Sequence, residues 1–324
     1  MDRRKFLKSV AITGAVAVGG KTLLKESAGM DILTQTFAGS ASAATVSGVN
    51  AKYDLVAVLG GEPEVMFRKA IAEMGGMGNF IKKGDKVVVK PNIGWDKTPD
   101  LAANTNPKLV EEIIRQCFKA GAKEVVVFDH TCDDWRKCYK NSGIEAAAKA
   151  AGAKVVPADQ GSYYKKVSLP NGKKLTQTMI HESIVNSDKW INVPVLKNHG
   201  GAQLTISMKN YMGIVWDRGF FHANDLQQCI ADVCTYEKRP VLNVVDAYRM
   251  MKTSGPRGKN ESDVVLTKGL FLSQDIVAVD TAAANFFNQV REMPLSKVSH
   301  LAKAQELKVG TMNLDALKIK RIKL

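Results

Sequence analysis

What this sequence lacks narrows its class before any motif is read. Past its N-terminal stretch it has no apolar run approaching the about 20 residues of a spanning helix, so no stable transmembrane anchor is expected in the remainder. Its five cysteines, Cys117, Cys132, Cys138, Cys229 and Cys234, follow neither a zinc-ribbon spacing nor a ferredoxin run, which excludes clusters of those types. No internal repeat, low-complexity segment or proline-rich linker divides the chain, so one folding unit is expected rather than an array. An aromatic-and-basic RNA-binding motif is also missing, and nucleic acid is not an expected partner.

What is there begins with an address. Asp2-Arg3-Arg4-Lys5-Phe6-Leu7-Lys8 precedes a mild apolar run from Val10 to Gly20, and Ala41-Ser42-Ala43 supplies a small-x-small cleavage site. This pattern matches a twin-arginine signal over residues 1–43, cut near Ala43, with the translocation machinery as partner and the periplasm as destination. The glycines of this run follow no strand and are not a nucleotide loop. Because that route carries proteins already folded, it suits a cofactor inserted before export, without saying which. Formal charge is +14, and removing the +3 carried by residues 1–43 leaves +11, a balance that favours anionic partners.

Residues 44–324 alternate strand and helix patterns. Apolar β-branched runs at 54–59, 86–92, 124–130, 154–157, 189–196, 241–246, 270–272 and 316–322 read as strands, with helices over residues such as 107–120, 144–151, 222–237 and 276–287 between them. The expected fold is α/β: a mainly parallel Rossmann-like sheet with helices on both faces and an antiparallel edge hairpin, placed at Lys165–Lys174 around Pro170-Asn171-Gly172. His181 falls in a stretch that reads as helical and is taken as structural.

The chemistry-bearing residues sit just past the apolar strands, where open α/β sheets bind ligands. Asn192 to Val215 is the densest stretch: a strand broken by Pro194, then Lys197, Asn198 and His199, Gly200-Gly201, and a helix start carrying Lys209 and Asn210. Lys90 and Asn92 end one other strand, Asp129 and His130 a second, and Asp246 a third. His199, His130 and Lys209 are the candidate catalytic groups, and Lys90, Asn92, Lys197, Asn210 and Asp246 the candidate ligand-binding groups. Each alone is as well explained as a cap or a solvated loop residue; their recurrence at strand ends is what points to a site. Asp129, His130, His199, Cys132 and Cys138 are the candidate metal ligands, and the short segment between the two cysteines also permits a disulfide. Ser254-Gly255-Pro256-Arg257-Gly258 is either an anion loop or a surface loop.

Lys90-Pro91-Asn92-Ile93, Thr105-Asn106-Pro107, Ala120-Gly121-Ala122, the 192–199 and 207–213 segments, Gly255-Pro256 and Asp275-Ile276-Val277-Ala278-Val279-Asp280 together resemble the family called domain of unknown function 362, over nearly the whole chain after the signal. A more distant resemblance is to the lactate racemase family, which links a nickel-pincer nucleotide through a lysine; it implies that Lys209 lies in the cofactor-linking region, although that family's histidine motifs have no clear match here. The cofactor itself is left unassigned. The sequence supports an exported enzyme acting on an anionic carboxylate or phosphate, with a non-catalytic anion-binding protein and a metal or redox protein as alternatives.

Overall fold

Apolar runs set the strands, and the register places their ends. The computed structural model describes residues 51–324, so the expected export signal lies outside the described residues. In chain order the elements are β1 (Leu55–Leu59), α1 (Pro63–Glu73), β2 (Lys86–Pro91), α2 (Pro107–Lys119), β3 (Glu124–Val127), α3 (Trp135–Asn141), α4 (Ile144–Ala150) and β4 (Lys154–Val155). Next come β5 (Tyr164–Ser168), β6 (Gln177–His181), α5 (Glu182–Val185), β7 (Lys189–Val193), β8 (Val195–His199), β9 (Gln203–Thr205) and α6 (Ser207–Asn210). The chain finishes with α7 (Gly219–Ala223), α8 (Leu226–Val233), β10 (Leu242–Met251), β11 (Val264–Ser273), α9 (Ile276–Asn288), α10 (His300–Glu306) and β12 (Ile319–Lys323).

One sheet runs β12-β1-β11-β10-β7-β2-β3-β4, with β8 branching from β10 and β9 pairing β8. Most neighbours are parallel, and β11 is antiparallel to both β1 and β10. Both faces are covered, which is why the strands are apolar throughout rather than alternating. Along β1, Leu55, Ala57 and Leu59 join a core with α8, α9 and α10, whereas Val56 and Val58 join the opposite core with α1, α2 and α4. The helices are locally specified: Asn106 accepts from Lys108 N ahead of Pro107 in α2, and Asp275 accepts from Val277 N and Ala278 N to start α9.

Several local expectations are corrected. The hairpin pairs Tyr164–Ser168 with Gln177–His181 as a separate two-stranded sheet, not as an edge of the main one. His181 ends β6 and caps α5, accepting from Ser183 N, so it is not mid-helix. The single helix expected over 222–237 is split, because Asp225 breaks it and caps α8 by accepting from Gln228 N. Pro194, which has no N–H to donate, divides the 189–196 strand into β7 and β8, and the second piece continues through Lys197 to His199. β10 does not stop at Asp246 but runs to Met251 through a register shift between Ala247 and Arg249.

Candidate functional site

Parallel pairing aligns the carboxyl ends of β2, β3 and β7 at one edge: Lys90 lies opposite Asn192, and the β3 chain runs on into Asp129 and His130. Lys90 is fully buried there, 2.7 Å from Asp129 Oδ1, and donates to the carbonyl and side-chain oxygens of Asn210, each at 2.9 Å. A chain of amides extends this pair. Asn210 Nδ2 donates to Asn192 Oδ1, Asn192 Nδ2 donates to Asn243 Oδ1, and Asn92 Nδ2 donates to Asn210 Oδ1. Asn92 in turn accepts from Lys197 Nζ at 3.1 Å, so β10, β7, α6, β2 and β8 are tied through one buried polar network. Gly213 packs so tightly on the Lys90–Asp129 pair that an added Cβ would meet both charged groups.

Beside this network lies a cavity of about 390 Å³, lined by Lys90, Asn92, Asp129, His130, Lys197, His199, Lys209 and Asn210 together with Arg218 and His222. Cations dominate it. Asp129 is committed to Lys90 and to Ile93 N, and Lys197 is held by Asn92 and the Ala103 carbonyl. Arg218 is spent on the carbonyls of His130 and Thr131, with a longer contact to Cys132 Sγ. Among the described residues, no hydrogen bond or ion pair holds the Lys209 ammonium. Burial, and then the nearby positive charges, make protonation costly: Lys197 is brought down to about 7 and Lys209 to about 8. Burial lowers Lys90 as well, against the pull of Asp129.

The two central histidines carry opposite tautomers. His199 Nδ1 accepts from the amides of Gly201 and Ala202, both at 3.1 Å, so its proton sits on Nε2 and the ring can donate. Burial drives its pKa down to about 2, with Lys209 and Lys197 adding to the effect, and keeps it neutral. His130 Nδ1 faces the Val215 carbonyl at 2.9 Å and must donate to it, leaving an unprotonated Nε2 as a base. Burial and Arg218 lower its pKa, and Trp216 stacks on the ring at 5.1 Å to fix its plane.

This strand-end cavity sits in a segment with known relatives. Residues 87–285, more than half of the chain, match the family described as "Domain of unknown function (DUF362)". The chain belongs to that family. A thylakoid-associated protein of Synechocystis sp. (strain ATCC 27184 / PCC 6803 / Kazusa) is 26% identical over 221 residues, covering 66% of each chain. Two solved structures are similar at 12% identity: the lactate racemase apoprotein of Thermoanaerobacterium thermosaccharolyticum, with a TM-score of 0.42 over 68% of this chain, and a Thermotoga maritima protein, with a TM-score of 0.43 over 77%. This chain spans 66% of the cyanobacterial relative's length, and 54% and 60% of the two solved chains.

In this DUF362 chain seven of the eight catalytic and ligand-binding candidates read from sequence line one cavity, and Asp246 does not. Asp246 is buried in mid-strand, where it accepts from Asn106 N at 2.7 Å and Tyr248 N at 3.0 Å and so anchors the start of α2. Burial raises its pKa to about 6. Cys132 lines the cavity, whereas α3 turns Cys138 into the apolar core; all five cysteines are free, so the disulfide is not formed. Among the described residues no three His, Cys, Asp or Glu side chains are grouped to hold a metal, so the metal-ligand set proposed from sequence is not assembled. Arg218, His222 and Trp95 also line the cavity, and the strand-end pattern does not mark them. Pro256 comes from the glycine-flanked loop singled out in the sequence, while its neighbour Arg257 turns away to Asp133, at 3.5 Å.

Proposed function

We propose that this chain is an exported enzyme that acts on an anionic small molecule, a carboxylate or a phosphate, by moving a proton within the strand-end cavity. The observation that carries this is the unmatched ammonium: Lys209 lines a cavity where Lys90, Lys197 and Arg218 are already engaged and the Asp129 carboxylate is used up by Lys90. A bound anion supplies the missing negative charge and favours the charged form of Lys209. His130, with Nδ1 held by a carbonyl, offers Nε2 as the proton acceptor, and His199 offers Nε2–H as a donor to an oxygen of the substrate. A base and a neutral hydrogen-bond donor lining one cavity favour catalysis over simple anion storage.

Titration calorimetry with oxalate and with inorganic phosphate tests the site. Binding to the wild-type protein and its loss in Lys209→Met support the reading; equal binding by both proteins overturns it. The Arg3-Arg4 pattern supports the export part of this reading. Among the described residues no helix is long and apolar enough to cross a membrane, which is compatible with that route.

A further inference from the structure

We infer that the substrate class is a 2-oxo acid and that Lys209 forms a Schiff base with its carbonyl carbon. The inference rests on the cavity being the anion site described above, and adds a covalent role for one amine. Of the three lysines in the cavity, Lys90 is locked to Asp129 and Asn210, and Lys197 to Asn92 and the Ala103 carbonyl. Lys209 alone of them has neither a hydrogen-bond nor an ion-pair partner among the described residues, so its nitrogen is the one left to act as a nucleophile. Burial, helped by the charges of Arg218 and Lys90, brings it to about 8 and leaves a reactive neutral fraction near neutral pH, which an ordinary lysine lacks. Excess positive charge selects a carboxylate, a nucleophilic amine selects a carbonyl, and a 2-oxo acid carries both on adjacent carbons within a size that about 390 Å³ accepts.

The step closes on groups already in the cavity. The Nζ lone pair forms a bond to the carbonyl carbon, and the C=O π pair moves to oxygen, which accepts a hydrogen bond from the neutral His199 Nε2–H. The new ammonium gives a proton to His130 Nε2, which passes it to that oxygen to complete the carbinolamine. The carbinolamine C–O bond then breaks as the nitrogen pair forms C=N, and the hydroxyl leaves as water with one proton taken up from solvent. No oxidant or reductant is needed, and the protonated imine keeps the positive charge beside the substrate carboxylate.

Incubating the purified protein with pyruvate and sodium cyanoborohydride, followed by intact-mass measurement and peptide mapping, tests this directly. The expected result is one reduced pyruvate per chain, located on Lys209, with much slower labelling by acetaldehyde, which lacks the carboxylate. Lys209→Arg keeps the charge and should lose the adduct while melting at the wild-type temperature. Labelling spread over surface lysines, or undiminished in Lys209→Arg, overturns the Schiff base. Oxalate calorimetry run in parallel separates the two levels: oxalate binding without a pyruvate adduct overturns the covalent role and leaves the anion site standing, whereas failure of both overturns the site as well.

Discussion

Lys90 and Lys209 share a cavity and should respond to mutation in opposite ways. Removing Lys90 strands the buried Asp129 carboxylate, so Lys90→Met should lose about 3–5 kcal/mol in denaturant unfolding. Lys209→Met removes a charge that has no partner, and its melting temperature should equal or exceed that of the wild type. The pH dependence gives the sign. Lys209 falls from 10.5 when unfolded to about 8 when folded, so the unfolded chain binds the extra proton between those values and wild-type stability rises with pH across that window. The advantage of Lys209→Met should therefore be full below about pH 8 and vanish as pH approaches 10.5. Anion affinity should run the other way, falling as Lys197 and Lys209 lose their protons through about 7 and about 8, which calorimetry across pH would show.

At the scale of elements, the four-residue helix α6 carries Lys209 and Asn210, too short to hold its own direction. Asp280 of α9 holds it, accepting from Ser207 N and Met208 N, each at 2.8 Å. Burial raises this carboxyl to about 7, a cost accepted for a fixed helix start. Asp280→Ala should orphan two buried amides, at about 1–3 kcal/mol each, and weaken oxalate binding although residue 280 does not line the cavity. Gly213→Ala should likewise break the Lys90–Asp129 pair from outside, visible as a lowered unfolding midpoint together with lost anion binding. The sequence could not show these couplings. Strand ends were legible because strands buried on both faces are continuous apolar runs, so the polar residues that interrupt or follow their last residues, Lys90 within β2 and Asp129 and His130 after β3, mark the edge. Asp246 was misread by the same rule, since a carboxylate satisfied by two backbone amides inside a long strand looks in one dimension like an end. Cys138 was misplaced because spacing limits its distance from Cys132 but not the direction in which α3 turns it. Arg218 and His222 had no local signal: their segment is aimed by the Ile180–Val215 bridge to the β5–β6 hairpin, a contact between distant parts of the chain.

For the whole molecule, the export proposal is tested by replacing Arg3 and Arg4 with lysine and fractionating cells; precursor held in the cytoplasm is the expected outcome, and undiminished periplasmic protein would refute it. The sheet topology bears on the same question through folding order. β1, at residues 55–59, lies between β12, at residues 319–323, and β11, at residues 264–273. More than two hundred residues of chain must therefore be made before the first strand meets either neighbour, and loop closure of that length makes the step slow. A nascent chain of this design leaves the ribosome with its leading strand still waiting. Until the last of the described strands has closed on the first, such a chain remains open, and a carrier that accepts only folded cargo would have to wait for that closure.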